Sequence, residues 1–292
     1  MVVIEQINKN NKEKLHNFLL KAKEFNELNE DFYSEFKKLD FFTILKLKKK
    51  VFLFKDDKEY IGFIWIERSN ERLFKILSLY LEDIKESIEL KHILYFLHGN
   101  HTVYYECRLN HKNKMALEKL GFIRKNHSIE MKRLAEDLMG DTEDNSNIQY
   151  RIFQENIDER KRWKLQNEIF KSDKRIPLSL KDIIDDEFQS YYIEGAGYFI
   201  LVDGKYIGYG QLIKHDYKDS ALLVNFGIIQ EYRNKGYGNL FLSYILSQGK
   251  IIGFNNIYLR VSPDNIDAIK LYSNAGFRTY SNIFSYEYMP KK

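Results

Sequence analysis

The sequence predicts an α/β protein built from two successive domains that repeat one order of elements. Three observations carry this reading. At 292 residues the chain is about twice the ~150 residues of a common domain. Residues 135–147, with the run Gly140-Asp141-Thr142-Glu143-Asp144-Asn145-Ser146-Asn147, lack apolar periodicity and read as an exposed linker. Lys119-Leu120-Gly121-Phe122 and Asn274-Ala275-Gly276-Phe277 each close a short helix and open a strand, with the glycines 155 residues apart. Asn110 and Asn265 share that offset, each after a strand.

On this reading the first domain covers residues 1–134 and the second 148–292. Apolar periodicity places a strand at 2–6, helical stretches between Lys12 and Leu47, and strands near 51–54, 60–66 and 74–81. A helix over about 83–97, a strand at 102–107, a helix near 112–120 and strands near Phe122 and Ile129 complete the first half. The second half opens with a strand at 149–153, helices near 158–170 and 179–189, and strands at 198–202, 206–214 and 221–229. A helix from Tyr237 is expected to stop at Gly249, since glycine is a common helix terminator. A strand at 257–261, a helix at 265–275, and strands near Phe277 and at 284–288 follow.

Composition narrows the function classes. Apolar residues at 44% and aromatics at 15% suffice for two cores, and no stretch reaches the ~20 uninterrupted apolar residues of a membrane span. A net charge of +4, from 46 basic and 42 acidic side chains, describes a mixed surface and does not imply nucleic acid. The run Lys46-Leu47-Lys48-Lys49-Lys50 reads as a solvated face. The single cysteine, Cys107, cannot form an internal disulfide or a cysteine zinc cage, and Met1-Val2-Val3-Ile4-Glu5-Gln6 lacks a secretory pattern. A cytoplasmic protein, with no membrane and no nucleic-acid partner, is expected.

The chemistry sits in the second half. In residues 222–229 an apolar strand arrives at Gln230-Glu231-Tyr232, and Arg233-Asn234-Lys235-Gly236-Tyr237-Gly238 then leads into an amphipathic helix. Leu240, Phe241, Tyr244 and Ile245 form its apolar stripe. Glycine permits close approach of a ligand, and a helix start offers unpaired N–H donors at a positive dipole end. This is a phosphate cradle. A nucleotide P-loop needs Gly-Lys-Ser/Thr, but Asn239 and Leu240 follow Gly238; a dinucleotide fingerprint needs a third glycine where Phe241 stands.

The remaining pattern, Arg-x-x-Gly-x-Gly after an apolar strand, resembles the coenzyme A loop of the GNAT superfamily of N-acyltransferases. Downstream, the segment from Asn265 through Ala268, Leu271 and Tyr272 to Gly276-Phe277 resembles that family's Asn-x-x-Ala-x-x-Leu-Tyr-x-x-x-Gly-Phe pattern. The resemblance implies two tandem GNAT-like domains, each a mixed, mostly antiparallel central sheet flanked by helices. It implies that the backbone around Phe226, Gly227 and Ile228 pairs with the pantetheine arm where two strands splay apart. The loop opened by Arg233 would hold the pyrophosphate through N–H groups from Asn234, Lys235, Gly236, Tyr237, Gly238 and Asn239. Asn265 would contact the cofactor arm, and Tyr272 would face the thioester sulfur as general acid. The Ile228 N–H is the expected donor to the thioester oxygen.

The implied activity is transfer of an acetyl group from acetyl-CoA, as cosubstrate, to a primary amine by direct attack, with no metal. The acceptor is expected to be a small-molecule or peptide amine, and the protein a monomer or homodimer. The first half, without glycine over residues 74–97 and with Leu117 opposite Tyr272, reads as a degenerate copy. The base stays open among His215, Asp216, Glu194, Glu287 and a water chain. Asp182, Asp185, Asp186 and Glu187 either attract a cationic amine or form the wet face of a helix, and Trp163, Tyr191 and Tyr192 read as core or rim. An alternative from another class is a non-catalytic acyl-CoA-binding regulatory module; a nucleotide-binding protein is disfavoured.

Overall fold

The computed structural model of the protein describes residues 2–36, 40–70, 73–82, 90, 94, 101–134, 147–172 and 175–289. The expected helix over 83–97 falls outside them, apart from the buried Leu90 and Leu94, as does the expected linker apart from Asn147. Along the first stretch run β1 (Val2–Gln6), α1 (Lys12–Phe25), α2 (Phe32–Glu35), α3 (Phe41–Leu47), β2 (Val51–Asp56), β3 (Glu59–Asn70), β4 (Leu73–Leu81), β5 (Thr102–Arg108), α4 (His111–Leu120) and β6 (Ile123–Leu134). Then come β7 (Ile148–Ile152), α5 (Glu159–Ile169), α6 (Leu180–Glu187), β8 (Gly197–Val202), β9 (Lys205–Lys214) and β10 (Ser220–Ile228). The chain closes with α7 (Tyr237–Ile252), β11 (Asn256–Val261), α8 (Ile266–Asn274) and β12 (Arg278–Tyr288).

Helix boundaries follow local chemistry. Asn110 and Asn113 form a capping box at the start of α4, and Ser179 and Asp182 form one at α6. Gly121 ends α4 in the left-handed conformation. Gly249, however, does not end its helix. The helix continues to Ile252 and closes at Gly253, while a Cβ on Gly249 would lie 2.7 Å from Ile257 Cδ1 and 3.2 Å from Leu212 Cδ1. The missing side chain lets α7 lie close on β9 and β11, a second use of glycine that the sequence does not distinguish from a cap.

By its internal contacts the chain divides into two units, Met1–Ser128 with Asn282–Lys292, and Ile129–Ser281. These are not the contiguous stretches 1–134 and 148–292 expected from sequence. The reason is strand length: β6 and β12 are each one continuous strand where two short ones were expected, and each runs from one unit into the other. In unit 1 the order is β1-β2-β3-β4-β5 and then the end of β12, and in unit 2 it is β7-β8-β9-β10-β11 and then the end of β6. Among the described pairings, β4 with β5 is the parallel one in unit 1 and β10 with β11 in unit 2. Each unit thus has the mixed, mostly antiparallel sheet that the family resemblance implies.

Two features of unit 2 position its site. Pairing of β10 with β11 covers Ser220 to Leu223 against Asn256 to Leu259 and ends there, although β10 runs on to Ile228 and β11 to Val261. On the other side of β10 the register with β9 slips between Val224 and Gly227, opposite Gln211 and Tyr209, with Asn225 at φ 55°. This is a β-bulge, which bends its strand and ends regular pairing. The buried Phe241, Leu242, Ile245 and Leu246 of α7 join Leu212, Leu223, Ile257 and Leu259 in the core. At about 1.5–3 kcal/mol for each fully buried side chain, this contact fixes the helix start.

A Gly249→Val substitution tests the packing role. Helix propensity alone favours valine by a few tenths of a kcal/mol, whereas overpacking costs about 1–3 kcal/mol. A lower urea midpoint is expected; a raised one would return Gly249 to a conformational role.

Candidate functional site

The end of the β10–β11 pairing opens into a cleft of about 920 Å³ in unit 2. Its walls are the β10 residues Phe226, Gly227 and Ile228, the loop residues Gln230, Arg233, Asn234, Gly236, Gly238 and Asn239, and the face of α8 with its cap. That face carries Asn265, Asp267, Ala268, Leu271 and Tyr272, and Ile169 and Phe170 at the end of α5 close the cleft. Ten of the sequence-derived site residues therefore line one space. Lys235 and Tyr237 do not; their side chains lie beside Tyr232, with Lys235 Nζ 5.2 Å from its ring centre and the Tyr237 ring 6.0 Å away.

The loop has the backbone that an anion cradle needs. Asn234 and Gly236 have φ of 58° and 84°, and Gly236 stands at the N-cap of α7 with no side-chain cap. The first intrahelical bonds run from the N–H groups of Asn239 and Leu240 to the Gly236 carbonyl, at 3.0 and 3.3 Å. The N–H groups of Tyr237 and Gly238 precede those bonds and belong to the orphan donors of a helix start. No acidic residue sits in the first turn of α7 to compensate its positive end.

Arg233 ties the cleft together. Its Nε donates to the Ile228 carbonyl at 2.8 Å and its Nη2 to the Ile169 carbonyl at 2.7 Å. The guanidinium thus joins the end of β10 to the end of α5, a supporting role that the loop pattern does not reveal. Ile229 N–H donates to Ile207 on β9 at 2.8 Å, so strand alternation turns the Ile228 N–H away from β9, toward the cleft.

Tyr272 is 9% exposed, with its ring centre 6.1 Å from that of Phe226 and 5.9 Å from that of Phe277. Burial pushes its phenol up to about 12. Asn265 caps α8, its Oδ1 accepting the Ala268 N–H at 3.2 Å. Ala268 and Leu271 share the Tyr272 face of the helix, and their spacing was the available signal for them. Ile169 and Phe170 come from a helix distant in sequence and had no local signal.

Several groups weighed for acceptor or base roles are engaged elsewhere. Asp182 accepts from the Ser179 main-chain N–H at 2.7 Å, Asp185 pairs with Lys181 at 2.7 Å, and Asp186 pairs with the buried Arg162 and accepts from the Tyr191 hydroxyl at 2.7 Å. Glu187 differs, because burial and then the nearby Glu159 raise its carboxyl to about 7. Trp163 Nε1 donates to the Leu178 carbonyl at 2.6 Å. His215 stacks with Tyr217 and Tyr258 at 4.9 and 4.3 Å, accepts the Tyr217 N–H on Nδ1, and holds Nε2 3.8 Å from Glu130 Oε1. Glu287 belongs to unit 1, 3.9 Å from Lys125 Nζ.

The sequence profile described as the acetyltransferase (GNAT) family matches residues 161–277, a span that contains every wall of the cleft. No curated protein matches the chain. Among solved structures, a GCN5-related N-acetyltransferase from Sphaerobacter thermophilus is similar at a TM-score of 0.70 and 14% identity, over 100% of this chain and 96% of that one. A tandem GNAT protein from the clavulanic acid biosynthesis pathway matches at 0.58 and 11%, over 100% and 99%. An acetyltransferase from the GNAT family of Colwellia psychrerythraea matches at 0.57 and 13%, over 98% and 99%. At such identities the likeness is one of fold.

The raised phenol gives a titration test. The unfolded chain ionises this tyrosine near ~10 and the folded protein near 12, so its contribution to stability is present below the first value and lost as pH rises through the second. A difference titration of phenolate absorbance between the wild type and Tyr272→Phe should show one phenol missing near pH 12. A missing group near pH 10 would contradict the buried setting.

Proposed function

We propose, on the premise that residues 161–277 form a domain of the acetyltransferase (GNAT) family, that unit 2 is the catalytic half of an N-acetyltransferase moving the acetyl group of acetyl-CoA onto a primary amine by direct attack. One observation carries the reading: a single cleft combines an uncapped helix start, a strand edge past the end of its pairing, and a buried phenol. Those features match a diphosphate, an amide-bearing arm and a leaving sulfur in turn. Bound acetyl-CoA would supply the activated acyl group and the thiol leaving group.

The residues divide the work by chemistry. The Tyr237 and Gly238 N–H groups at the positive end of α7 favour the diphosphate. The Ile228 N–H suits an oxygen that gains charge during attack, because a fixed main-chain dipole needs no reorganisation. Burial holds the Tyr272 phenol up at about 12, so that it stays protonated at neutral pH. Tyr272 therefore steadies the departing sulfur as a hydrogen-bond donor, and the proton balance is closed by the one that the amine releases when its N–C bond forms.

The second reading, a binding module without turnover, has one observation behind it. The described cleft wall carries Asp267 as its carboxylate and neither His nor Glu. A thiol-release assay with acetyl-CoA against small amines, polyamines, aminoglycosides and peptides separates the two. Release matched by acetylated amine supports the enzyme; calorimetric binding of coenzyme A without release on any amine supports the module.

Two substitutions sharpen the test. Tyr272→Phe should lower kcat about 10- to 100-fold, the worth of one charge-assisted hydrogen bond at roughly 1.5–3 kcal/mol, with KM for acetyl-CoA within about threefold; an unchanged kcat removes the role. Gly236→Val should weaken coenzyme A binding about 5- to 30-fold, since a left-handed branched residue costs roughly 1–2 kcal/mol. Unaltered affinity would place the diphosphate elsewhere.

A further inference from the structure

Unit 1 contains a counterpart of the strand gap from which the unit 2 cleft opens. There β4 and β5 are the parallel pair, matched only over Leu73, Phe74 and Lys75 against Thr102, Val103 and Tyr104, while β4 continues to Leu81 and β5 to Arg108. Beyond the last matched pair each strand presents main-chain groups toward the other. In this unit, residues 26–30, which follow α1, bond to both edges.

On the β4 side, Glu30 N–H donates to the Leu77 carbonyl at 2.8 Å. The Asn29 side chain then serves Leu79 twice, Nδ2 donating to its carbonyl at 2.8 Å and Oδ1 accepting its N–H at 3.1 Å. On the β5 side, Asn26 Nδ2 donates to the Glu106 carbonyl at 2.8 Å and Asn26 Oδ1 accepts the Arg108 N–H at 3.2 Å. The Tyr105 hydroxyl links the two, accepting from Asn26 Nδ2 at 2.8 Å and donating to Asn29 Oδ1 at 2.7 Å. Asn26, Asn29 and Tyr105 are each at most 1% exposed.

A carboxamide carries a donor and an acceptor in the geometry of a peptide group. Asn29 therefore gives Leu79 what a neighbouring strand would give it, and Asn26 does the same for Glu106 and Arg108. Any ligand arm seeking those edge groups would have to displace side chains whose buried polar atoms would then lack partners. A separate cleft of about 720 Å³ in unit 1 is lined by Phe25, Tyr80, Leu81 and Asn110 among others, but not by Leu77, Leu79 or Glu106. None of the strand groups that residues 26–30 engage is among its walls.

We infer that the chain binds one acyl-CoA, in unit 2 only, because Asn26 and Asn29 hold the equivalent strand gap of unit 1 closed from within. The inference rests on the proposed seat of the pantetheine arm along β10. Native mass spectrometry of the full chain with coenzyme A should show one molecule per chain at saturation. Hydrogen exchange with and without coenzyme A should place the new protection within residues 226–239 and none within 77–81 or 105–108. Two molecules per chain, or protection at 77–81, overturns the inference. No binding at all would overturn the proposed function of unit 2 and this stoichiometry with it, whereas the Leu79 amide reports the closure of unit 1 independently. In the Asn29→Ala variant the Leu79 amide should exchange at least tenfold faster than in the wild type, without coenzyme A; unchanged exchange would mean that the asparagine does not close the edge.

Discussion

Where β10 stops pairing with β11, the sheet of unit 2 acquires two inner edges, and buried main-chain edges are costly unless something satisfies them. The bulge between Val224 and Gly227 starts the divergence, with Asn225 held at a positive φ. Arg233 then takes the Ile228 carbonyl and ties it to the end of α5. What is left faces the cleft. The rest of the site is arranged around this interruption, with α7 beginning just beyond the end of the strand and α8 supplying the opposite wall. Unit 1 meets the same problem with side chains, and the carboxamides of Asn26 and Asn29 take the place that a ligand or a strand would fill.

The proposed site depends on main-chain atoms more than on side chains. The left-handed Gly236, the uncapped first turn of α7 and the Ile228 N–H require conformations, not particular functional groups. Few positions are thereby constrained in sequence, which agrees with a shared fold at only 11–14% identity to the solved GNAT structures. The side chains that do matter act mostly as supports. Arg233 bonds to carbonyls, Asn265 caps α8, and the burial of Tyr272 keeps its phenol protonated far above neutrality.

What the sequence revealed follows from how local each feature is. The strand before Gln230, the turn at Gly236 and Gly238, and the spacing from Asn265 to Tyr272 lie within short segments, and the structure brings them to one cleft. Ile169 and Phe170 reach the same cleft from far along the chain, and no pattern in α5 marks them. Gly249 does not mark the helix end expected of it, because glycine serves both as a helix end and as a point of close packing. The acidic run of α6 allows either an attractor for cations or the wet face of a helix, and a cap and two ion pairs engage three of its four members. Polar residues inside β6, such as Lys125 and Asn126, resemble a turn, and so its continuity was not legible.

The exchange of strand ends has a consequence for how the molecule is made. The β5 edge of unit 1 receives its neighbour only when Ile283 to Tyr288 are available, and Ile283 lies 175 positions after Arg108. At a translation rate of about 5–20 residues per second, that edge waits roughly 10–35 s on the ribosome with its hydrogen-bonding groups bare. A newborn chain therefore carries an adhesive strand until Ile283 to Tyr288 emerge, and cutting the gene at the apparent linker would make that exposure permanent.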